Sequence, residues 1–209
     1  MIIVLSQCRK PRGWPGRFFI WTMNLRHTGV TTWGLAHVSI EKPFTILDVG
    51  CGGGKTVRRL AELASSGTVF GVDYSAASAA AARRMNAAAI AAGKVAIHQA
   101  SVSRLPFAGN AFDLVSAVET HYYWPEPVDD LREILRVLKP GGRFVLIAET
   151  YKGERFDQLL AVPMRLLRAR YLTRGEHADL CSAAGFVDIA VHEERRKGWI
   201  CVVAQKPAA

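Results

Sequence analysis

The sequence has no continuous run of about 20 apolar residues, no CxxC pair and no HExxH motif. The chain therefore offers no candidate transmembrane helix, and its four cysteines and six histidines show no spacing typical of a zinc site. We expect no metal site and four reduced, mostly buried thiols. The apolar start is too short for a signal-peptide core and no basic segment precedes it, which predicts a cytoplasmic protein.

Acidic residues are missing from the first 40 positions, whose basic residues account for five of the nine net positive charges. This arm also carries the aromatic residues Trp14, Phe18, Phe19 and Trp21. A basic, aromatic arm could contact nucleic acid or an anionic membrane surface. It could equally be a helix that packs its aromatic rings on the domain and leaves its arginines in water.

From residue 44 onward, short apolar runs alternate with helix-like periods. Strands are predicted at 44–50, 68–73, 95–99, 112–118, 143–149, 187–192 and 199–204. Helices are predicted at 56–64, 75–92, 127–138 and 173–184, with a basic, partly helical stretch at 152–172. This order predicts an α/β fold with a doubly wound, mostly parallel sheet and one antiparallel strand at its edge.

A glycine-rich loop follows the first predicted strand. A dinucleotide fingerprint is excluded because Lys55 stands where its third glycine would be, and a phosphate loop is excluded because Val49 stands where its first glycine would be. The spacing that remains is D-x-G-x-G-x-G, formed by Asp48, Gly50, Gly52 and Gly54. A carboxylate at the start of such a loop suits a ligand with an ammonium group better than a phosphate.

An acidic residue, Asp73, ends the second predicted strand. A carboxylate at this place can accept hydrogen bonds from the 2′- and 3′-hydroxyls of a ribose. Asp73 could alternatively cap the alanine-rich helix that follows, although Ser75 is already well placed for that role.

These residues resemble the class I S-adenosylmethionine-dependent methyltransferases of the small, single-domain type. The resemblance rests on ILDVGCGGG at 46–54, VFGVDYS at 69–75, SRLPFAGNAFDLVSAVE at 103–119 and ILRVLKPGGRFVLIAE at 134–149. It implies a Rossmann-like sheet of seven strands, with a lid segment at 1–40 and a cofactor-binding domain at 41–209. It also implies S-adenosylmethionine as cofactor and S-adenosylhomocysteine as product.

In this family the glycine loop receives the methionine part of the cofactor, the acid after the second strand binds the ribose, and residues before the LPF segment hold the adenine. The resemblance thus implies cofactor contacts at Asp48, Gly50, Cys51, Gly52, Gly54, Asp73, Tyr74, Ser101, Val102 and Glu119. Ser101 departs from the family, which often has an acid there. An uncharged acceptor is expected to weaken the adenine contact by roughly 1 kcal/mol.

An acid, a histidine and three aromatic residues follow the fourth predicted strand, where a methyl acceptor would meet the cofactor. Glu119 and His121 are candidate general bases, and Glu119 could instead contact the cofactor's ammonium group. Tyr122, Tyr123 and Trp124 could line the acceptor pocket, or pack under the next helix. The amine-methylating N-P-P-[YF] signature and the Pro-Cys context of covalent pyrimidine methylation are both absent.

Four functions remain open at this point. The first is methylation of a small molecule such as a phenol, a quinone-like ring, an amine or a lipid headgroup. The second is methylation of nucleic acid held by the basic arm, and the third is cofactor binding without catalysis. The fourth and least favoured is a nucleotide triphosphatase, since Gly54-Lys55-Thr56 matches only the end of a phosphate loop. Upstream of the first strand, Asn24, His27, Trp33 and His37 are expected to line a lid over the cofactor.

Overall fold

The computed structural model describes residues 27–153 and 156–208. The basic arm before His27, including Asn24, lies outside the described residues. The strands are β1 (Thr45–Val49), β2 (Thr68–Asp73), β3 (Val95–Gln99), β4 (Phe112–Val118), β5 (Leu138–Ala148), β6 (Val187–Glu194) and β7 (Trp199–Gln205). The helices are α1 (Thr28–Leu35), α2 (Lys55–Leu63), α3 (Ala76–Met85), α4 (Ala87–Ala91), α5 (Pro127–Val137), α6 (Asp157–Leu166) and α7 (Arg174–Ala184), and a 3₁₀ turn (His121–Tyr123) follows β4.

The strands form one seven-stranded sheet in the order β3-β2-β1-β4-β5-β7-β6. All neighbours are parallel except that β7 runs antiparallel to both β5 and β6. The predicted fold class is therefore confirmed, with the antiparallel strand second from the edge because β7 inserts between β5 and β6. The strand order reverses between β1 and β4, and in such sheets ligands bind outside the carboxyl ends of the strands at this point.

Helices cover both faces of the sheet, so the core consists of two apolar layers. Alternate residues of β1 point to opposite layers: Ile46 packs with Val57 and Leu60 of α2, whereas Leu47 packs with Ile134 of α5. A strand buried on both faces reads as a continuous apolar run, which explains why β1 is recognisable from the sequence. None of the helices in 27–153 and 156–208 has the length and apolar character needed to cross a bilayer.

Two elements differ from the sequence prediction by more than two residues. The predicted helix at 75–92 is broken at Asn86, whose side-chain amide donates to the carbonyl oxygens of Gly54 (3.0 Å) and Ala82 (2.9 Å). Strand β5 starts five residues before its predicted position, at Leu138. Its early part is held by pairing with the end of the chain, since Lys206 N–H donates to the Gly142 carbonyl at 2.9 Å.

Helix α1 is part of the domain core, although its sequence was assigned to a lid. Val30 and Leu35 are buried with residues of β5 and β7. Trp33 and His37 were wrongly expected to face the cofactor. Their rings lie near Trp199 and His192, with centroid distances of 5.9 and 4.0 Å, because burying the apolar side of α1 turns these rings toward the β6–β7 end of the sheet.

The close approach of α1 to β5 yields a stability prediction. A methyl group on Gly34 would lie 2.5 Å from Cγ1 of the fully buried Ile147. We expect Gly34→Ala to lower the free energy of unfolding by roughly 1–2 kcal/mol through overpacking. Gly175→Ala on α7 is the matched control, since nothing lies within 4 Å of its added methyl group. Urea unfolding measures both, and equal stabilities would contradict the packing of α1.

Candidate active site

The glycine loop after β1 is hydrogen-bonded to the end of β2. The backbone N–H groups of Gly50 and Cys51 both donate to the Val72 carbonyl, at 2.8 and 2.9 Å. Gly50 has φ of +74°, and a Cβ there would lie 2.2 Å from the Thr120 hydroxyl oxygen. Gly52 has φ of +52°, and a Cβ there would meet no described atom within 4 Å, so this glycine faces open space. Glycine is thus required at position 50 by close approach, and at 52 it leaves room for a ligand against the backbone.

Asp73 joins the glycine loop to the start of α3. Its Oδ2 accepts from the Gly52 N–H at 2.9 Å, and its Oδ1 accepts from the Ser75 N–H at 2.8 Å. Burial raises the pKa of this carboxyl, and the two hydrogen bonds oppose that rise. Each carboxylate oxygen has capacity for another hydrogen bond, so the group can still accept from two ligand hydroxyls.

Asp48 lies beneath the loop and is almost completely buried. Its Oδ1 accepts a hydrogen bond from the Ser116 hydroxyl at 2.7 Å. Burial raises the pKa of Asp48 to about 7, the Ser116 hydrogen bond opposes this rise, and the negative charge of Asp73 adds to it. Burial thus favours the protonated form of Asp48, and a cation arriving beside it would favour the ionised form.

These groups line a cleft of about 800 Å³ at the carboxyl ends of β1, β2 and β4. Eleven of the predicted site residues line it: Asp48, Gly50, Cys51, Gly52, Asp73, Tyr74, Ser101, Val102, Glu119, Tyr123 and Trp124. Gly54, His121 and Tyr122 do not. The Cys51 thiol packs toward Gly71 inside the sheet, and its burial raises its pKa well above the usual value, so it is not a reactive group in the cleft.

Glu119 reaches the cleft from the end of β4, where its backbone has φ of +58°. Its carboxylate accepts a hydrogen bond from the Glu149 N–H, and it also interacts with the Tyr122 hydroxyl. The side chains of His27, Glu119 and Glu149 offer ligand atoms that all lie within 4.8 Å of one another. This cluster could hold a cation, and sequence spacing could not reveal it because the three residues come from separate segments.

His121 lies behind the cleft and does not line it. Its Nε2 is 3.1 Å from Nε2 of His177, whose Nδ1 lies 2.7 Å from the Thr173 carbonyl oxygen. A carbonyl only accepts, so His177 donates from Nδ1 and accepts at Nε2, which makes His121 the donor at Nε2. Burial lowers the pKa of both rings. This buried position does not support the predicted role of His121 as general base.

Tyr122 is also directed away from the cleft. Its ring is buried in the core, and its hydroxyl donates to the Thr150 carbonyl at 3.3 Å. The predicted role of Tyr122 in acceptor binding is therefore not supported, whereas Tyr123 and Trp124 do line the cleft. The 3₁₀ turn after β4 causes this difference, because it sends successive side chains to different sides.

Comparison with known proteins agrees with this geometry. The sequence model of the methyltransferase domain family matches residues 47–146. Cycloartenol-C-24-methyltransferase 1 of Oryza sativa subsp. japonica is 33% identical over 109 residues, which are 52% of this chain and 31% of the relative. Demethylmenaquinone methyltransferase of Lactiplantibacillus plantarum is 33% identical over 114 residues, 54% of this chain and 48% of the relative. The chain thus spans about half or less of the length of these relatives.

A solved structure shows the same fold over almost the whole chain. It is a complex between the Haloferax volcanii Trm112 methyltransferase activator and a methyltransferase. The matching chain is 22% identical with a TM-score of 0.79, and the match covers 93% of this chain and 96% of that one. Residues 47–146 thus match the methyltransferase domain family, and the described chain has the Rossmann-like fold of solved methyltransferases. Within this methyltransferase fold, the matched segment 47–146 contains the glycine loop, Asp73 and Glu119.

Several groups lining the methyltransferase cleft were not predicted. They are contributed mainly by α1, α2 and the residue after Glu119: Thr28, Thr31, Lys55, Arg58, Arg59, Glu62 and Thr120. Lys55 Nζ donates to the Thr28 hydroxyl at 2.7 Å, and Arg59 donates to the Thr32 hydroxyl at 2.6 Å. The only signal in the sequence was the run Gly54-Lys55-Thr56, a near match to a phosphate loop that does not predict this link between two helices.

The raised pKa of Asp48 predicts a pH dependence of stability. Its folded-state pKa of about 7 exceeds the ordinary 3.8, so stability is highest at low pH and is lost as pH rises between these values. The difference corresponds to as much as about 4 kcal/mol. Asp48→Asn should remove this loss. Urea unfolding between pH 4 and pH 7 tests it, with the exposed Asp179→Asn as control. An unchanged pH profile in Asp48→Asn would contradict the assignment.

Proposed function

We propose that the protein transfers a methyl group from S-adenosylmethionine to a small-molecule acceptor. The observation that carries this proposal is the contact between Gly52 and Asp73, which holds a hydrogen-bonding carboxylate beside an open, glycine-walled cleft. When bound, S-adenosylmethionine supplies a methyl group on a positively charged sulfur. The match of residues 47–146 to the methyltransferase domain family and the chemistry of the cleft residues both support this cofactor.

The cofactor-binding residues divide by the chemistry that they offer. Asp73 accepts from the ribose hydroxyls, using the capacity left after its bonds to Gly52 and Ser75. Asp48 supplies negative charge for the ammonium group. Ser101 and Val102, which lie together on the far side of the cleft, receive the adenine.

The acceptor is expected beside Glu119, Tyr123 and Trp124. These residues combine two aromatic rings with one carboxylate in the same part of the cleft. Such a site favours a flat or lipophilic molecule, and the two relatives named above act, by their names, on cycloartenol and demethylmenaquinone. Glu119 takes a proton from an acceptor oxygen or nitrogen, and the hydrogen bond from the Glu149 N–H keeps its carboxylate in place.

Binding of S-adenosylhomocysteine tests the ribose contact. We expect calorimetry to show that Asp73→Asn weakens binding by roughly tenfold or more, since hydrogen bonds to a charged group contribute about 1.5–3 kcal/mol. Asparagine keeps the size of the side chain, and the thermal midpoint of each variant is measured alongside. Asp179→Asn serves as control. Full affinity in a folded Asp73→Asn protein would contradict the proposed site.

Turnover tests the role of Glu119. We expect Glu119→Gln to lower kcat by roughly 10²–10⁴-fold if the carboxylate is the general base. Glu62→Gln, which removes another carboxylate from the cleft lining, should change kcat little. Calorimetry on S-adenosylhomocysteine separates the two proposed roles. A loss of affinity with unchanged kcat would identify Glu119 as an ammonium contact instead.

The acceptor class is tested by following S-adenosylhomocysteine formation with a reduced naphthoquinone, a sterol, a phenol and transfer RNA. Turnover of one of the small molecules supports the proposal. Turnover of RNA alone, with strong salt dependence, would favour the nucleic-acid function of the basic arm. Cofactor binding without turnover of any of them would favour a non-catalytic binding domain.

A further inference from the structure

Helix α6 carries an apolar face that no described residue covers. Leu159, Val162 and Leu166 are 79%, 64% and 63% exposed. Their spacing of three and four residues places the three helical side chains on one side. Met164, on another side of α6, is buried in the core and fixes the orientation of the helix. Because another side of α6 is already buried in the core, the apolar face stays exposed when the helix is packed on the domain.

The same segment is strongly basic. Residues 156–174 contain four arginines and one acidic residue, Asp157. Arg165 lies within α6 beside the apolar face, and Arg168 follows the end of the helix; both side chains are exposed. A helix with a bare apolar face bordered by arginines has the chemistry of an interfacial membrane helix.

The segment that contains α6 begins and ends at the edge of the sheet where the cleft lies. Helix α6 follows β5, whose carboxyl end is at the same edge of the sheet as the glycine loop. After α6 the chain returns to the turn behind β4, where the Arg170 N–H donates to the Tyr122 carbonyl at 2.8 Å. The next two residues of that turn, Tyr123 and Trp124, line the cleft. The segment that carries α6 is therefore joined, through Arg170, to the turn that precedes the proposed acceptor residues.

The positive charge around α6 indicates which kind of partner can bind its apolar face. A second copy of the chain carries nine net positive charges, and the arm at residues 1–26 carries five basic residues and no acidic one. Either of these would bring positive charge against the arginines of α6. Nucleic acid would match the charge but offers no hydrocarbon for Leu159, Val162 and Leu166. An anionic bilayer supplies both.

We propose that α6 docks the protein on an anionic lipid bilayer. Leu159, Val162 and Leu166 enter the boundary between headgroups and acyl chains, and Arg165 and Arg168 contact the anionic headgroups. Docking is reversible, because a short apolar helix with a few basic residues anchors far less strongly than a transmembrane helix. This proposal goes beyond the methyl-transfer function and does not depend on it.

Vesicle co-sedimentation of the full chain tests the proposal. We expect binding to vesicles of phosphatidylcholine with phosphatidylglycerol, and weaker binding to phosphatidylcholine alone or at high salt. The double variant Leu159→Asp, Leu166→Asp should bind the anionic vesicles roughly tenfold or more weakly. Leu63→Asp, Val187→Asp is the matched control, since both residues are exposed apolar side chains on other elements and the added charge is the same. Circular dichroism and the thermal midpoint show whether each variant is folded.

Several outcomes would overturn the docking proposal. Wild-type protein that does not bind anionic vesicles would do so, as would folded double variants that lose equal affinity or that both bind as wild type. Dimerisation that Leu159→Asp, Leu166→Asp abolishes, without vesicle binding, would identify the face as a contact between copies. Binding to a short RNA that exceeds vesicle binding and does not change in that variant would assign the arginines to nucleic acid.

Discussion

The hydrogen bond from the Gly52 N–H to Asp73 is the interaction on which the cleft depends. It joins the loop after β1 to the end of β2, and the second oxygen of Asp73 binds the start of α3. The loop has glycines with positive φ at positions 50, 52 and 54 and would otherwise have wide conformational freedom. With this anchor, one carboxylate fixes the wall of the cleft and still offers lone pairs to a ligand.

The two buried acids beneath the loop act on each other. Asp48 and Asp73 come from adjacent strands, and the negative charge of Asp73 contributes to the raised pKa of Asp48. Two carboxylates in a poorly solvated site have an unfavourable electrostatic free energy, and a positively charged ligand group lowers it. The negative charge in the unliganded cleft thus favours binding of a cation. When no cation is bound, the hydrogen bond from the Ser116 hydroxyl stabilises the Asp48 carboxylate.

The fold was predictable because its signals are local. Apolar runs such as β1 and the helical period of α5 depend on neighbouring residues, and the spacing of the glycines is by itself enough to exclude two classes of nucleotide-binding loop. Where the structure differs from the prediction, distant contacts are responsible. His121 is turned inward by a partner 56 residues away. The rings of Trp33 and His37 pack near β7 and β6, whereas His27 of the same predicted lid lines the cleft. Side-chain direction after a strand end is set by such contacts and not by the local pattern.

The position of β7 has a consequence for synthesis on the ribosome. This strand is the last in the sequence, yet it lies between β5 and β6, and α1 near the other end of the described chain packs against it. The Cys201 thiol of β7 even reaches the Gly34 carbonyl of α1, at 3.5 Å. During synthesis, α1 cannot pack against β7 until β7 has left the ribosomal exit tunnel. Closure of the domain therefore waits for synthesis of β7, and the incomplete sheet is the species most in need of chaperones.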